Sequence, residues 1–400
     1  MPEFRPIPEE DVDTFQSLVS YAFRPDQGPF DESDLEDLPA GAEIGDRYGL
    51  YDGDDLLTAC KHIDFRTHVR GDVHDLHGLS AVASSPDQRR QGYVRDLLAE
   101  SLAQSRSDGV AFSALWPFKR SFYGQYGWAT GTRAVSHDVD PSALSFAPDH
   151  DHGEFVTLDA DDWERAAAVH DAHGERFDLT MDRTEEWWRK RVFSGWDDDP
   201  YAYGWERDGD LAAYATYSFE SGDDGKTLQV RDWAFVDHDA RLALLRFFAD
   251  HDSQVDTVSV WTHTSEDLLD LVPDSDDVEA ELNLCPMVRL VDVQDALEAL
   301  SYPTEVETDL VLDVSDPLVD WNDDAFRVTV ADGAAAVERT TAAAGDADAS
   351  IGVGALSELA VGYRGADELA TVSDLDAGGH VVATLADAFP TREMFLREGF

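Results

Sequence analysis

Leu79-Ser80-Ala81-Val82-Ala83-Ser84-Ser85-Pro86-Asp87-Gln88-Arg89-Arg90-Gln91-Gly92-Tyr93-Val94-Arg95-Asp96-Leu97-Leu98 changes its hydrophobic period halfway. Small and apolar residues at 79–83 suit a buried strand, Pro86 and Asp87 stop it, and Val94, Leu97, Leu98 and Leu102 then recur with helical spacing. The segment is a strand, a short turn and a helix. Its turn carries Arg89-Arg90-Gln91-Gly92, which sets guanidinium groups around the first free N–H groups of the helix, with a glycine where a ligand must come close. Main-chain amides and cations in that order are how a protein holds a pyrophosphate. Residues 88–106 carry four arginines against Asp96 and Glu100, whereas the chain average would give about −2.6 charges over that length. The bland alternative is an amphipathic helix with arginines facing solvent.

The composition makes that positive segment unusual. Asp plus Glu number 84 against 30 Lys plus Arg, a formal net charge of −54 over 400 residues. The acids run through the whole chain between hydrophobic stretches, so they do not form an interaction tail. Self-repulsion of this kind collapses when the screening length falls to roughly 3 Å near 1 M salt. The composition therefore predicts a salt-saturated, haloarchaeal-type cytoplasm. Duplex DNA needs clustered cations and is not an expected partner. Cys60 and Cys285 are the only cysteines and lie far apart, which argues against a disulfide framework and a cysteine-based metal site. No apolar run approaches 18 residues and the first residues have no apolar signal core, so the expectation is a soluble, cytoplasmic protein without membrane contact.

At this length two or three domains are expected. A strand at 3–7, a helix at 9–23, a Gly- and Pro-containing loop at 24–46 placed to cover a site, and hairpin strands at 48–51 and 56–65 lead into the opening segment. A strand at 110–115, a short helix at 118–126 and a strand at 127–138 follow it. His150 and His152 lie in a polar linker and read as solvated surface rather than metal ligands, as do His74 and His77, which have no evident third ligand. From Phe155 the pattern repeats loosely, with a Trp187-Trp188 helix among its elements. Its strand-to-helix turn, Val236-Asp237-His238-Asp239, presents two aspartates where a phosphate would sit, so no anionic cofactor is expected there. A third unit starts near Met287 with a strand at 288–290 and a helix at 293–300. Strands at 310–314, 326–331 and 335–340 and helices at 351–361 and 378–389 complete it.

Arg89-Arg90-Gln91-Gly92 after one strand, Tyr123-Gly124-Gln125-Tyr126-Gly127-Trp128 after the next, a degenerate second copy, a third α+β unit and a terminal Phe together resemble one family. The chain resembles the enhanced-intracellular-survival (Eis) branch of the GNAT N-acetyltransferases over nearly its whole length. The resemblance implies an α+β fold: tandem GNAT domains with mixed central sheets at 1–146 and 147–285, then a sterol-carrier-protein-like domain at 286–400. It also implies acetyl-CoA as donor, a small cationic amine as acceptor, no metal, and a homo-oligomer, a hexamer in the best-known members. Carried over by position, Val82, Ala83 and Ser84 pair with the pantetheine amides, and Arg89, Arg90, Gln91, Gly92 and Tyr93 hold the pyrophosphate. Tyr123 is the general acid and the Phe400 carboxylate is the base. Two departures matter: Val94 stands where the wider GNAT pattern prefers Gly or Ala, which Eis-like sequences also relax, and Gln91 replaces a third arginine, which weakens phosphate attraction.

Acetyl transfer to an amine needs a neutral nucleophile, donors for the developing oxyanion and a proton for the departing thiolate. A phenol near pKa 10 donating to a thiolate near 8.5 is uphill by roughly 2 kcal/mol. A terminal carboxylate near 3.5 taking a proton from an ammonium near 10 is uphill by about six to seven pK units, so Phe400 acts as base only with burial or a water relay and otherwise anchors the cation. Tyr123 can alternatively be core packing beside Phe122 and Trp128, and Phe400 a frayed terminus. A reading from another class is a lipid or apolar-ligand binder that uses its third domain.

Overall fold

The computed structural model describes residues 2–31, 35, 38–148, 152–196, 198–222, 225–340 and 346–400. His150 and part of the 24–46 loop lie outside the described residues. The first unit contains β1 (Glu3–Pro6), α1 (Val12–Phe23), β2 (Asp46–Asp52), β3 (Asp55–Val69), β4 (Asp72–Ser84), α2 (Tyr93–Ser107), β5 (Phe112–Leu115), α3 (Arg120–Gly124) and β6 (Ala129–Thr130). The second contains β7 (Arg133–Val139), β8 (Glu154–Thr157), α4 (Trp163–Gly174), β9 (Met181–Asp182), α5 (Glu185–Trp187), β10 (Tyr201–Arg207), β11 (Asp210–Gly222), β12 (Gly225–Phe235), α6 (His238–Ala249), β13 (Thr257–His263), α7 (Leu268–Leu271) and β14 (Val278–Leu284). A π-helical turn, Trp188–Val192, continues α5. Next come β15 (Met287–Leu290), α8 (Val293–Ala299), β16 (Thr308–Ser315), β17 (Asp324–Ala331), β18 (Ala334–Thr340), β19 (Ala349–Gly352), α9 (Val353–Val361), α10 (Ala366–Val372), β20 (Asp376–Ala377) and α11 (Gly379–Ala388). Among the described residues, no helix is long and apolar enough to cross a membrane.

Three mixed sheets carry the chain. The first runs β1-β2-β3-β4-β5-β15-β6 with β9 beside β3, the second β14-β7-β13-β12-β11-β10-β8, and the third β18-β17-β16-β19-β20. This corrects two expectations. The strand expected over 127–138 is split: β6 stays in the first sheet and β7 crosses into the second, between β13 and β14. The strand expected to open the third unit, β15, instead pairs antiparallel with β5, Met287 opposite Leu115. Alternation reports which face of a strand is buried, not which edge it joins, and β15, buried at all four positions, carries no face signal. The helix expected from 351 begins at Val353, because Ile351 extends β16 as the parallel strand β19.

The exchange ties the units together. Arg289 of β15 is fully buried, pairs with Asp316, donates to the Tyr126 carbonyl and lies 5.2 Å from the Trp128 ring. Gly127 has φ +88°, and a Cβ there would overlap the Arg289 guanidinium, so the second glycine of the Tyr-Gly-Gln-Tyr-Gly-Trp run is required twice over.

A fork in the first sheet as the candidate active site

β4 and β5 share a short parallel ladder, residues 76–78 with 112–114, that goes no further among the described residues, while β15 pairs with the other edge of β5 over 112–115. The ladder ends at a bulge in β4: Lys61 faces Ser80 and Ala59 faces Ala83, with Ala81 at φ 52°. Beyond the bulge the edge of β4 facing β5 has no ladder partner among the described residues. Ala83 turns its carbonyl to β3, where it accepts from Thr58 Oγ1 at 2.8 Å, so the alternating backbone leaves Val82 and Ser84 facing the fork. Of the three residues expected to pair with pantetheine, those two present their amides and Ala83 does not.

Helix α2 starts at Tyr93, one residue before the first of its periodic apolar positions, Val94. Gly92 is its N-cap, at φ 93° with no side-chain cap, and the first intrahelical bond runs from Asp96 N to Gly92 O at 3.1 Å. The N–H groups of Tyr93, Val94 and Arg95 therefore face outward at the positive end of the helix. A Cβ on Gly92 would meet nothing within 4 Å, so it is the left-handed backbone, not crowding, that selects glycine. Arg89 and Arg90 are exposed, and the Arg89 guanidinium lies 5.4 Å from the Tyr21 ring of α1. Gln91 spends its side-chain amide inside the turn, on Asp87 O at 3.0 Å and Gln88 Oε1 at 3.3 Å, which leaves it only a backbone role.

Tyr123, on α3 just after β5, is 4 % exposed and shares an apolar cluster with Leu79, Leu97, Leu98, Leu115 and Trp128. Phe118, Phe122 and Trp128 pack against its ring edge-on. Burial pushes the phenol well above its ordinary value, with a smaller push from Cys60. It is thus protonated at rest, and donating to a thiolate is harder than free-solution values imply unless that sulfur lies in the same apolar surroundings.

On the opposite face, the chain end is docked. Gly78, the last ladder residue, lies against the rings of Phe65 and Phe400, which stand 5.0 Å apart. The terminus is held along its length: Phe395 N donates to Asp178 O at 2.9 Å, Thr132 Oγ1 to Met394 O at 2.7 Å, and Trp116 Nε1 to Glu398 O at 2.7 Å. Arg191 donates to the Gly399 carbonyl. Glu398, 4 % exposed, meets Arg183 Nε at 2.8 Å, and Arg183 also pairs with Asp232. Burial alone would raise the Glu398 carboxyl, but Arg183, His170 and Arg397 outweigh it and bring its pKa down to about 2. A frayed terminus is therefore excluded, and none of Arg183, Glu398, Trp116 and Arg289 is marked out by a local motif.

A cavity of about 1000 Å³ opens between this tail, Trp116 after β5, and the second sheet. Pro39 and Gly41, from the described part of the loop expected to cover a site, line it. His77 lies elsewhere, between Ser105 of α2 and Asp64 of β3.

The second sheet repeats the ladder and closes the fork. Residues 227–229 of β12 pair with 257–259 of β13, and β12 has its own bulge opposite Thr216 and Tyr217. There Trp233 Nε1 crosses to the Trp261 carbonyl at 2.9 Å. The Asp237 side chain caps α6 by accepting from Ala240 N, and Arg207 pairs with it.

Family models match the chain as an acetyltransferase (GNAT) domain at residues 3–131, a second GNAT domain at 179–290 and a sterol carrier protein domain at 293–397. An uncharacterized N-acetyltransferase of Streptomyces griseus is 26% identical over 407 residues, 96% of each chain. The N-acetyltransferase Eis of Mycobacterium tuberculosis is 28% identical over 325 residues, 77% of each. Among solved structures, a probable N-acyltransferase from Enterococcus faecalis superposes over 100% of both chains with a TM-score of 0.87 at 21% identity. Eis1 of Mycobacterium abscessus does so, again over 100% of both, at 0.77 and 20%; these two likenesses bear on fold.

Proposed function

We propose that this chain, an N-acetyltransferase made of two GNAT domains and a sterol-carrier-like domain, carries out its transfer at the first fork alone, from acetyl-CoA directly to a primary amine. The observation that carries the reading is the uncapped start of α2 beside an unpaired β4 edge. Outward N–H groups at 93–95, flanked by Arg89 and Arg90, suit a diphosphate; the amides of Val82 and Ser84 suit a pantetheine arm laid along β4. An arm on that edge brings its thioester to the end of the ladder, between the Tyr123 cluster on one face and Phe400 with the cavity on the other.

Tyr123 is the general acid in this reading. Its buried phenol keeps its proton until a thiolate forms in the same dry cluster, where burial raises the proton affinity of both groups together. The docked terminus supports a role for the Phe400 carboxylate on the acceptor side, as a base acting through water or as an anchor for the amine. A cationic acceptor, as the resemblance implies, calls for an acidic cleft. The cavity lining does not support that: it carries five Lys and Arg against four Asp and Glu. The acidic exterior suits a salt-rich medium, and the homo-oligomer implied by the Eis resemblance completes the proposal.

The test is release of free CoA from acetyl-CoA with a panel of amines in KCl, comparing the intact chain with Tyr123→Phe. We expect Tyr123→Phe to keep acetyl-CoA affinity and lose about a hundredfold in kcat. A variant at full rate removes Tyr123 from the mechanism, and a chain that releases no CoA with any amine removes the transfer.

A further inference from the structure

The cavity differs from the rest of the molecule in charge and in aromatic content. Five of the chain's 10 tryptophans line it, and its cations outnumber its acids in a chain where acids outnumber cations 84 to 30. Most of those charges are spent on one another. Asp232 is shared between Arg183 and Arg397, and Glu398 is held by Arg183. Glu220 pairs with Arg231, and Lys190 with Glu43 and Glu186. The remaining acid, Asp198, is exposed.

Arg191 is different. Its guanidinium carbon lies 5.1 Å from the ring centres of both Trp187 and Trp196, and it donates to the Gly399 carbonyl, one residue from the chain end. Among the described residues no carboxylate pairs with it. A guanidinium has five N–H donors in a planar fork, so a half-buried one between two indoles and without a carboxylate is set up for a bidentate anion. A polycation would need the opposite, unspent carboxylates inside the cavity.

We infer that the acceptor is an aromatic amine bearing a carboxylate, with the carboxylate on Arg191, the ring among the cavity tryptophans and the amine toward the fork. This rests on the transfer reading above and names its substrate class. Partial burial keeps the Arg191 contact effective at a salt level that screens the protein's exterior. An acceptor of net charge near zero also avoids the need for an acidic cavity.

The experiment uses the full chain with two acceptors that differ only in charge, 4-(aminomethyl)benzoate and 4-(aminomethyl)benzamide, with spermidine as the polycation, in roughly 1 M KCl. We expect kcat/KM to favour the acid over the amide by about tenfold or more, and spermidine to trail both. Arg191→Gln should collapse the acid-to-amide ratio to about one, and Arg191→Lys should restore part of it. The ratio is internal to each variant, so a general loss of folding or activity cancels. An equal ratio in the intact chain, an unchanged ratio in Arg191→Gln, or a preference for spermidine overturns the inference. Tryptophan-fluorescence titration of both ligands without acetyl-CoA separates the two proposals. Acid-selective, Arg191-dependent binding without turnover sinks the transfer reading and leaves only the carboxylate site at Arg191 standing; equal binding of acid and amide sinks that site whatever the turnover.

Discussion

The two forks are built alike up to the point where a ligand would enter. Each has a three-residue parallel ladder and a bulge in the strand that leads to the helix. They diverge between that strand and its helix. The first has a turn of 85–92 ending in Gly92 and an uncapped helix; the second reaches its helix through residues 236–237, with Asp237 on the first-turn amides and Trp233 bonded across the gap. A helix start binds an anion through N–H groups that are not already satisfied, and a capping aspartate takes up a donor and sets a like charge where the anion would lie. On our reading, a fold repeat can lose its ligand by satisfying its own backbone, with the rest of the architecture intact.

The comparison depends first on the second domain holding the tail beneath the open fork. Removing the cation of that buried cluster, Arg183→Met, leaves Glu398 and Asp232 without their main partner and should cost about 3–5 kcal/mol in denaturant unfolding, together with the acceptor site. The same contact has an acid limit. Glu398 falls from an ordinary 4.5 to about 2 in the folded chain, so its contribution is complete above pH 4.5 and disappears as pH drops toward 2. An acid titration followed by tail proteolysis should place release in that window; release that begins above pH 6 would assign it to another group.

Opening the closed fork is the next test. Trp233→Ala should destabilise the chain by about 3 kcal/mol, and acetyl-CoA should still bind at one site per chain by calorimetry. Two sites would break the comparison. Arg89→Ala plus Arg90→Ala should weaken acetyl-CoA about tenfold, and less in molar KCl because both groups are exposed. Asp237→Ala has the smallest effect, about 1 kcal/mol of stability through the lost cap, with no change in acetyl-CoA affinity.

Much of this was legible in the order of residues. The change of period after Ser84, the Arg-Arg-Gln-Gly turn and the aspartates at 237 and 239 gave both helix starts their character, because caps and turns are local interactions between near neighbours. The docked Phe400 was foreseeable only through family resemblance, and nothing local singled out Arg183, Arg191 or Arg289. Each acts on a residue more than forty positions away.

Sequence by itself determined the three-part α+β plan, the strongly negative composition, and the aspartate cap that sets the second of two similar turns apart from the first. Tertiary structure alone decided that β7 and β15 change sheets, that Ala83 faces away from the fork, that the terminus lies at its base, and that the adjoining cavity is neither acidic nor plain. The physical reason is range. Backbone capping and periodicity are fixed within a few residues, whereas edge pairing and the cancellation of buried charge depend on which distant segments finally share one volume.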